Sequence, residues 1–181
     1  VPTLEAHFDG VRICQADNTS CALDRWGHGT HTAGTVAGRK FGVAKAATVH
    51  ACKILNDRGV GLVSWVIQAL DYVAAEGQRP AVASASLGGR YESPSLELSV
   101  DRAVGLGVTV VVAAGNENDD ACQYMPSKIA STITVGAVDM GDNRAYYSNY
   151  GVCLDIFAPG SSISSAGFTS NRAVATHSGT S

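Results

Sequence analysis

The order of patterns along this chain predicts an α/β fold, a three-layer domain with a mainly parallel central sheet and helices on both faces. Three observations carry that expectation. Strand-like apolar runs alternate with stretches whose apolar residues recur every three or four positions, the signature of sheet and helix in turn. One run, Val108-Thr109-Val110-Val111-Val112-Ala113, is almost continuously apolar, as a strand covered on both faces should be. Glycine-bearing pairs, Gly88-Gly89 and Gly115-Asn116, stand at the ends of such runs, where α/β sheets bind their ligands.

Residues 1–25 carry few periodic signals and read as a connection, with Gln15 to Ser20 a polar surface loop. From Trp26 to Gly38 small residues predominate around Gly34 and Gly38, which suits a closely packed helix with His28 at its start. A buried strand is expected over 48–55, and Asn56-Asp57-Arg58-Gly59-Val60-Gly61 reads as a turn. Leu62, Val63, Val66, Ile67, Leu70, Val73 and Ala74 then form a helical stripe that Pro80 closes off. Residues 81–86 read as a short buried strand. Leu96, Val100, Ala103 and Val104 give the next helix its face, with Ser95 as its cap and Gly105 or Gly107 at its end. Further strands are expected at 132–138 and near 153–157. Internal repeats and low-complexity segments are absent.

With 181 residues, 45% apolar composition and 20 glycines, the chain can bury one sizeable core. No apolar run approaches the ~20 residues of a bilayer crossing. A net charge of -3 without a basic block argues against nucleic acid and membrane surfaces as partners. A cleft-bound partner and a monomeric state are expected. The five cysteines, an odd number, leave at least one thiol unpaired within the chain, and Cys52, inside the expected buried strand, is the choice for it. Cys14 and Cys21 flank the polar loop and could close it. Disulfides imply an oxidising compartment.

His28 opens a helix whose positive end disfavours imidazolium, which keeps the ring able to accept a proton. His28 and His31 could instead ligate a metal, but no nearby glutamate base or third ligand accompanies them. His31 reads as a packing or hydrogen-bonding residue. Two later stretches, Ala113-Ala114-Gly115-Asn116 and Ser178-Gly179-Thr180-Ser181, complete a set of three motifs. Together, and in this order, they closely resemble the histidine, oxyanion and nucleophile motifs of the subtilisin-like serine proteases, in the branch of proteinase K and aqualysin.

The resemblance implies a serine endopeptidase that works through an acyl-enzyme. Ser181 is the nucleophile, His28 its base, and Asn116 donates its amide to the oxyanion beside the Ser181 N–H. The family's orienting aspartate is expected shortly before Val1, because Val1, Phe8 and Gly10 fit the sequel to its Asp-Thr-Gly triplet while Asp9 and Asp17 lack a matching context. The family's long helix after the nucleophile is expected beyond Ser181. Residues 1–181 are thus expected to be part of one catalytic domain, lacking both its ends, and at most weakly active alone.

The resemblance also implies an extended peptide substrate lying along Gly59, Val60 and Gly61 on one side and Ser86, Leu87, Gly88 and Gly89 on the other. A pocket walled by Ala113, Ala114, Gly115 and Ser86 to Gly88, with Tyr124 near its far end, holds the residue before the cut. None of these is charged, so apolar and aromatic residues are expected there. Asp155, with the carbonyls of Ala130 and Thr132, matches a structural calcium site, an oxygen-only set of the kind calcium prefers. No organic cofactor is implied, and the Gly-x-Gly-x-x-Gly turn of dinucleotide enzymes is missing. Cys122 and Cys153 match a disulfide of this branch. A bridge similar to one near the family's catalytic histidine, here Cys21 to Cys52, is the alternative to Cys14 with Cys21. Secretion is expected, although the first residues carry no leader. The competing reading is a catalytically silent relative that binds proteins through the same groove.

Overall fold

The computed structural model describes residues 4–7, 10–15, 17, 18 and 20–181. Val1, Phe8 and Asp9 lie outside the described residues, as do Ala16 and Thr19 of the polar loop. The chain divides into two compact units, one made of residues up to Ala69 with Ser164–Thr176, the other of Leu70–Ile163 with His177–Ser181.

In the first unit β1 (Leu4–His7) and β2 (Gly10–Ile13) form an antiparallel hairpin where a plain connection is expected. The signal for these strands is the alternation of apolar with polar residues over Leu4 to His7 and Val11 to Ile13. Asn18 Oδ1 accepts the backbone N–H groups of Ser20 and Cys21 in the loop that follows, and a Cys14–Cys21 disulfide closes it. Helix α1 (His28–Ala37) then packs on strand β8 (Ile163–Ala166), which pairs with β9 (Val174–His177). A Cβ on Gly34 would stand 2.5 Å from Ser165 Oγ, so glycine there permits the close approach. Strand β3 covers only Cys52–Lys53, not residues 48–55. Among the described residues it pairs with Leu4 and Glu5 of β1, and 48–51 are exposed. Cys52 is accordingly half-buried, and it is the free thiol.

Helix α2 (Val63–Glu76) buries Val66, Leu70 and Ala74 of the expected stripe together with Ala69, while Val63, Ile67 and Val73 are half-buried and Leu62, before the helix, is exposed. In the second unit, strands β4 (Ala81–Ala85), β5 (Val108–Ala113), β6 (Ile133–Val138) and β7 (Ile156–Pro159) pair in that order, all parallel. As an edge strand β4 alternates rather than being buried throughout, and Val82 is 67% exposed. β5 likewise buries Val108, Val110 and Val112 but exposes Thr109. Helix α3 (Pro94–Gly105) lays Leu96, Val100 and Ala103 on β5. Its cap is Ser93, whose side chain accepts from the Leu96 N–H, and not Ser95; Pro94 then occupies the first turn, where its missing N–H costs nothing. β7 begins later than expected because Gly151, at φ 109, turns the chain and Cys153 is tied to Cys122.

Candidate active site

Each motif sits within one unit, and each is built by its own local bonds. In the first unit Asp24 organises the entry to α1. One of its oxygens accepts the N–H groups of Trp26 (2.9 Å) and Gly27 (2.7 Å), the other the N–H (2.8 Å) and hydroxyl (2.7 Å) of Thr30. Gly27 makes the turn at φ 99, a conformation costly for other residues, and its missing Cβ leaves room for Phe168. His28 follows at the first helical position, half-buried, while His31 is buried.

Burial pushes the Asp24 carboxyl up, but the bonds from Gly27, Thr30 and Trp26 outweigh it and hold its pKa at about 2 against an ordinary 3.8. A carboxyl depressed on folding stabilises the fold above its unfolded pKa and loses that contribution as pH falls through the folded value. The stability difference between the wild type and Asp24→Asn is therefore expected to be flat above about pH 5 and to shrink between about pH 4 and 2. Urea denaturation across that range measures it, and a constant difference would contradict the assignment.

Residues 56–61 of the same unit form the expected turn. Asn56 Oδ1 accepts the N–H groups of Arg58 and Val60, and Gly59 adopts φ 74 with Trp26 so close that a Cβ would lie 2.9 Å from the indole nitrogen. Asp57 beside it is held below its ordinary pKa, chiefly by Lys53 at 3.0 Å.

In the second unit the carboxyl ends of β4 and β5 open onto a cavity of ≈ 180 Å³. Ser86, Leu87, Gly88 and Gly89 line it from one strand, Ala113, Ala114, Gly115 and Asn116 from the other, and Tyr124 and Ser181 lie on its wall as well. Gly89 and Met125 exchange backbone bonds of 2.9 Å, which fixes the 86–89 edge against the Tyr124 segment. Asn116 Oδ1 accepts the Thr180 N–H at 2.8 Å, so its amide nitrogen is turned away from that bond. Thr180 is buried, and its hydroxyl accepts the Gly115 N–H at 3.1 Å. Ser86 Oγ donates to the Ser181 carbonyl at 3.0 Å. The Asn116 and Ser181 segments are thereby latched to each other directly.

One expectation is corrected here. The cavity wall is not uncharged, because Glu117 joins it. Asn149 Nδ2 holds the Glu117 carboxylate at 2.8 Å beneath Gly115, where a Cβ would lie 2.6 Å from it, and this draws the acid to the wall. Tyr124 gives its hydroxyl to Asp119, which also meets Arg90 at 3.4 Å. Met125, Ser127 and Thr180 line the cavity as well, without having been anticipated.

Asp155 accepts the Thr134 N–H at 2.7 Å through Oδ2. Asp155 and Ala130 are exposed and Thr132 is buried. Among the described residues no group of three or more His, Cys, Asp or Glu side chains could hold a metal, so His28 and His31 gain no third ligand. No described helix is long and apolar enough to cross a membrane.

Beyond the carboxyl ends of this parallel sheet, the edge at which α/β folds bind their ligands, the Asn116 side chain is latched to the Thr180 N–H and Ser86 to the Ser181 carbonyl. The chain is a member of the subtilase family, whose family model matches residues 5–181. It is 52% identical to an extracellular serine proteinase of Thermus sp. (strain Rt41A), over 88% of this chain and 39% of that protein. It is 46% identical to the subtilisin-like serine protease Pen c 2 of Penicillium citrinum, over 95% of this chain and 40% of that protein, and 47% identical to cerevisin of Saccharomyces cerevisiae, over 88% and 26%. The crystal structure of a cold adapted subtilisin-like serine proteinase superposes with a TM-score of 0.85 at 43% identity, covering 91% of this chain and 59% of that one. The fold is therefore the subtilisin-like α/β fold. The chain spans about two-fifths or less of these curated relatives.

Proposed function

We propose that residues 1–181 belong to the catalytic domain of a secreted, monomeric serine endopeptidase. Ser181 Oγ attacks the scissile carbonyl, His28 takes its proton and returns it to the leaving amine, and water then releases the acyl group from Ser181. Asn116 Nδ2 and the Ser181 N–H donate to the oxyanion, which forms only as the carbonyl carbon becomes tetrahedral. The observation that carries the reading is the Asn116–Thr180 bond, which orients one amide beside the serine that follows. A neutral side chain that is turned by its acceptor oxygen presents its donor at no reorganisation cost.

The same reading takes Gly59 to Gly61 and Ser86 to Gly89 as backbone edges for an extended peptide, with apolar or aromatic residues preferred before the cut. Glu117 in the cavity wall supports a particular exclusion of acidic residues, since a second carboxylate brought there would meet a like charge. The names of the Thermus and Penicillium relatives support protein substrates, and that of the Thermus relative supports secretion. A fluorophosphonate probe applied to the full-length protein tests the activity. Labelling at Ser181 is expected; an intact, unlabelled serine would favour the silent binding module.

Calcium is proposed at Asp155 with the carbonyls of Ala130 and Thr132. One carboxylate oxygen is engaged by Thr134, which orients the group and leaves the other for the ion, and the donors are all oxygen. The ion would tie the start of β6 to the start of β7. Chelation of the full-length protein with EDTA should lower its melting temperature, by about 2.7 kcal/mol of stability if calcium stood at 100 times its dissociation constant. Asp155→Asn should abolish that difference, and an undiminished EDTA effect in the variant would place the ion elsewhere.

A further inference from the structure

We propose that Asn149 is the positioning residue that sets the oxyanion donor Asn116. This rests on the role given to Asn116 above. The segment 114–119 leaves β5 through Gly115 at φ 104 and has no strand partner of its own for most of its length. Five of its bonds are made by the buried Asn149, beside those of the Ala114 N–H to the Val135 carbonyl, the Gly115 N–H to Thr180 Oγ1 and the Asn118 N–H to the Tyr147 carbonyl. Asn149 Oδ1 accepts the N–H groups of Glu117 and Asp119, both at 3.0 Å. Asn149 Nδ2 donates to the Ala114 carbonyl at 2.9 Å and to Glu117 Oε2 at 2.8 Å, and the Asn149 N–H reaches the Gly115 carbonyl at 3.0 Å. These contacts flank Asn116 on both sides.

The side chain is 0% exposed and uses both N–H donors and both acceptor directions, so it has one orientation only. Gly115 packs so tightly on it that a Cβ would lie 2.2 Å from Asn149 Nδ2. Asn149 is itself held to the sheet, since Ser148 Oγ accepts the Ala137 N–H of β6 at 3.0 Å and donates to the Asn149 carbonyl at 2.9 Å. On both sides of Asn116 the loop that carries the donor is thus tied back toward the sheet by this one amide. An oxyanion donor works only within a narrow distance of the developing charge, and a displacement of about 1 Å can cost about 10²-fold.

The test uses the full-length enzyme with Asn149→Asp, Asn149→Ala, Asn116→Ala and the Asn149→Asp, Asn116→Ala double variant. Asn149→Asp keeps the acceptor toward Glu117 and Asp119 but sets a carboxylate oxygen against the Ala114 carbonyl and the Glu117 acid. Active sites are titrated with a fluorophosphonate so that kcat refers to folded enzyme. Asn149→Asp is expected to lower kcat about 10- to 100-fold with KM within about threefold, and to add no further loss in the Asn116→Ala background. Asn149→Ala should behave alike. A kcat within about twofold of wild type in a folded variant, or losses that multiply in the double variant, would overturn the positioning role. Failure of both Asn149 variants to fold would also overturn it, by making Asn149 a structural anchor. A harmless Asn116→Ala would instead count against the reading of Asn116 itself, and is told apart by that single variant.

Discussion

Ser181→Ala in the full-length protein is expected to lower kcat by about 10⁶-fold, the scale of the same loss in a subtilisin, and His28→Ala by about as much. A hydroxyl without its base is a poor nucleophile at neutral pH, and a base without its nucleophile has no proton to take. The two groups act as one unit, so the double variant should be no slower than either single one. Steady-state turnover of a peptide substrate measures all three. Multiplicative losses would show that His28 does not serve Ser181. A His28→Ala enzyme with kcat within about tenfold of wild type would remove the histidine from the chemistry altogether.

Asn116→Ala is expected to lower kcat by about 10²–10³-fold with little change in KM, again the scale known from a subtilisin. The ground-state carbonyl carries little charge, so the lost amide is felt mainly in the transition state. The Thr180 N–H that Asn116 Oδ1 accepts at 2.8 Å would lose its partner as well. That backbone bond lies next to Ser181, and its loss adds a second small displacement to the missing donor. A fall of less than threefold in kcat, or an effect confined to KM, would take Asn116 out of the oxyanion site.

The alternation of patterns was enough to predict the parallel sheet, the stripes of α2 and α3, and the positions of Gly88-Gly89 and Gly115-Asn116 beyond their strands, because period and turn chemistry are local properties of a chain. His28, Asn116 and Ser181 could be picked out for the same reason, as short motifs in order. The β1–β2 hairpin is equally local, carried by the alternation over Leu4 to His7 and Val11 to Ile13. Other features had no local signal. The shortness of β3 and the exposure of Val82 depend on which parts of the fold lie against each strand. Glu117 reaches the cavity wall only because a side chain from residue 149 holds it, and Asn149 in sequence is one polar residue in Tyr147-Ser148-Asn149-Tyr150. Spacing could name the groups proposed to do the chemistry, since their residue types carry it. Which buried amide holds the Asn116 segment was decided by tertiary structure, because a hydrogen bond between positions 32 residues apart depends on where the sheet brings the chain back.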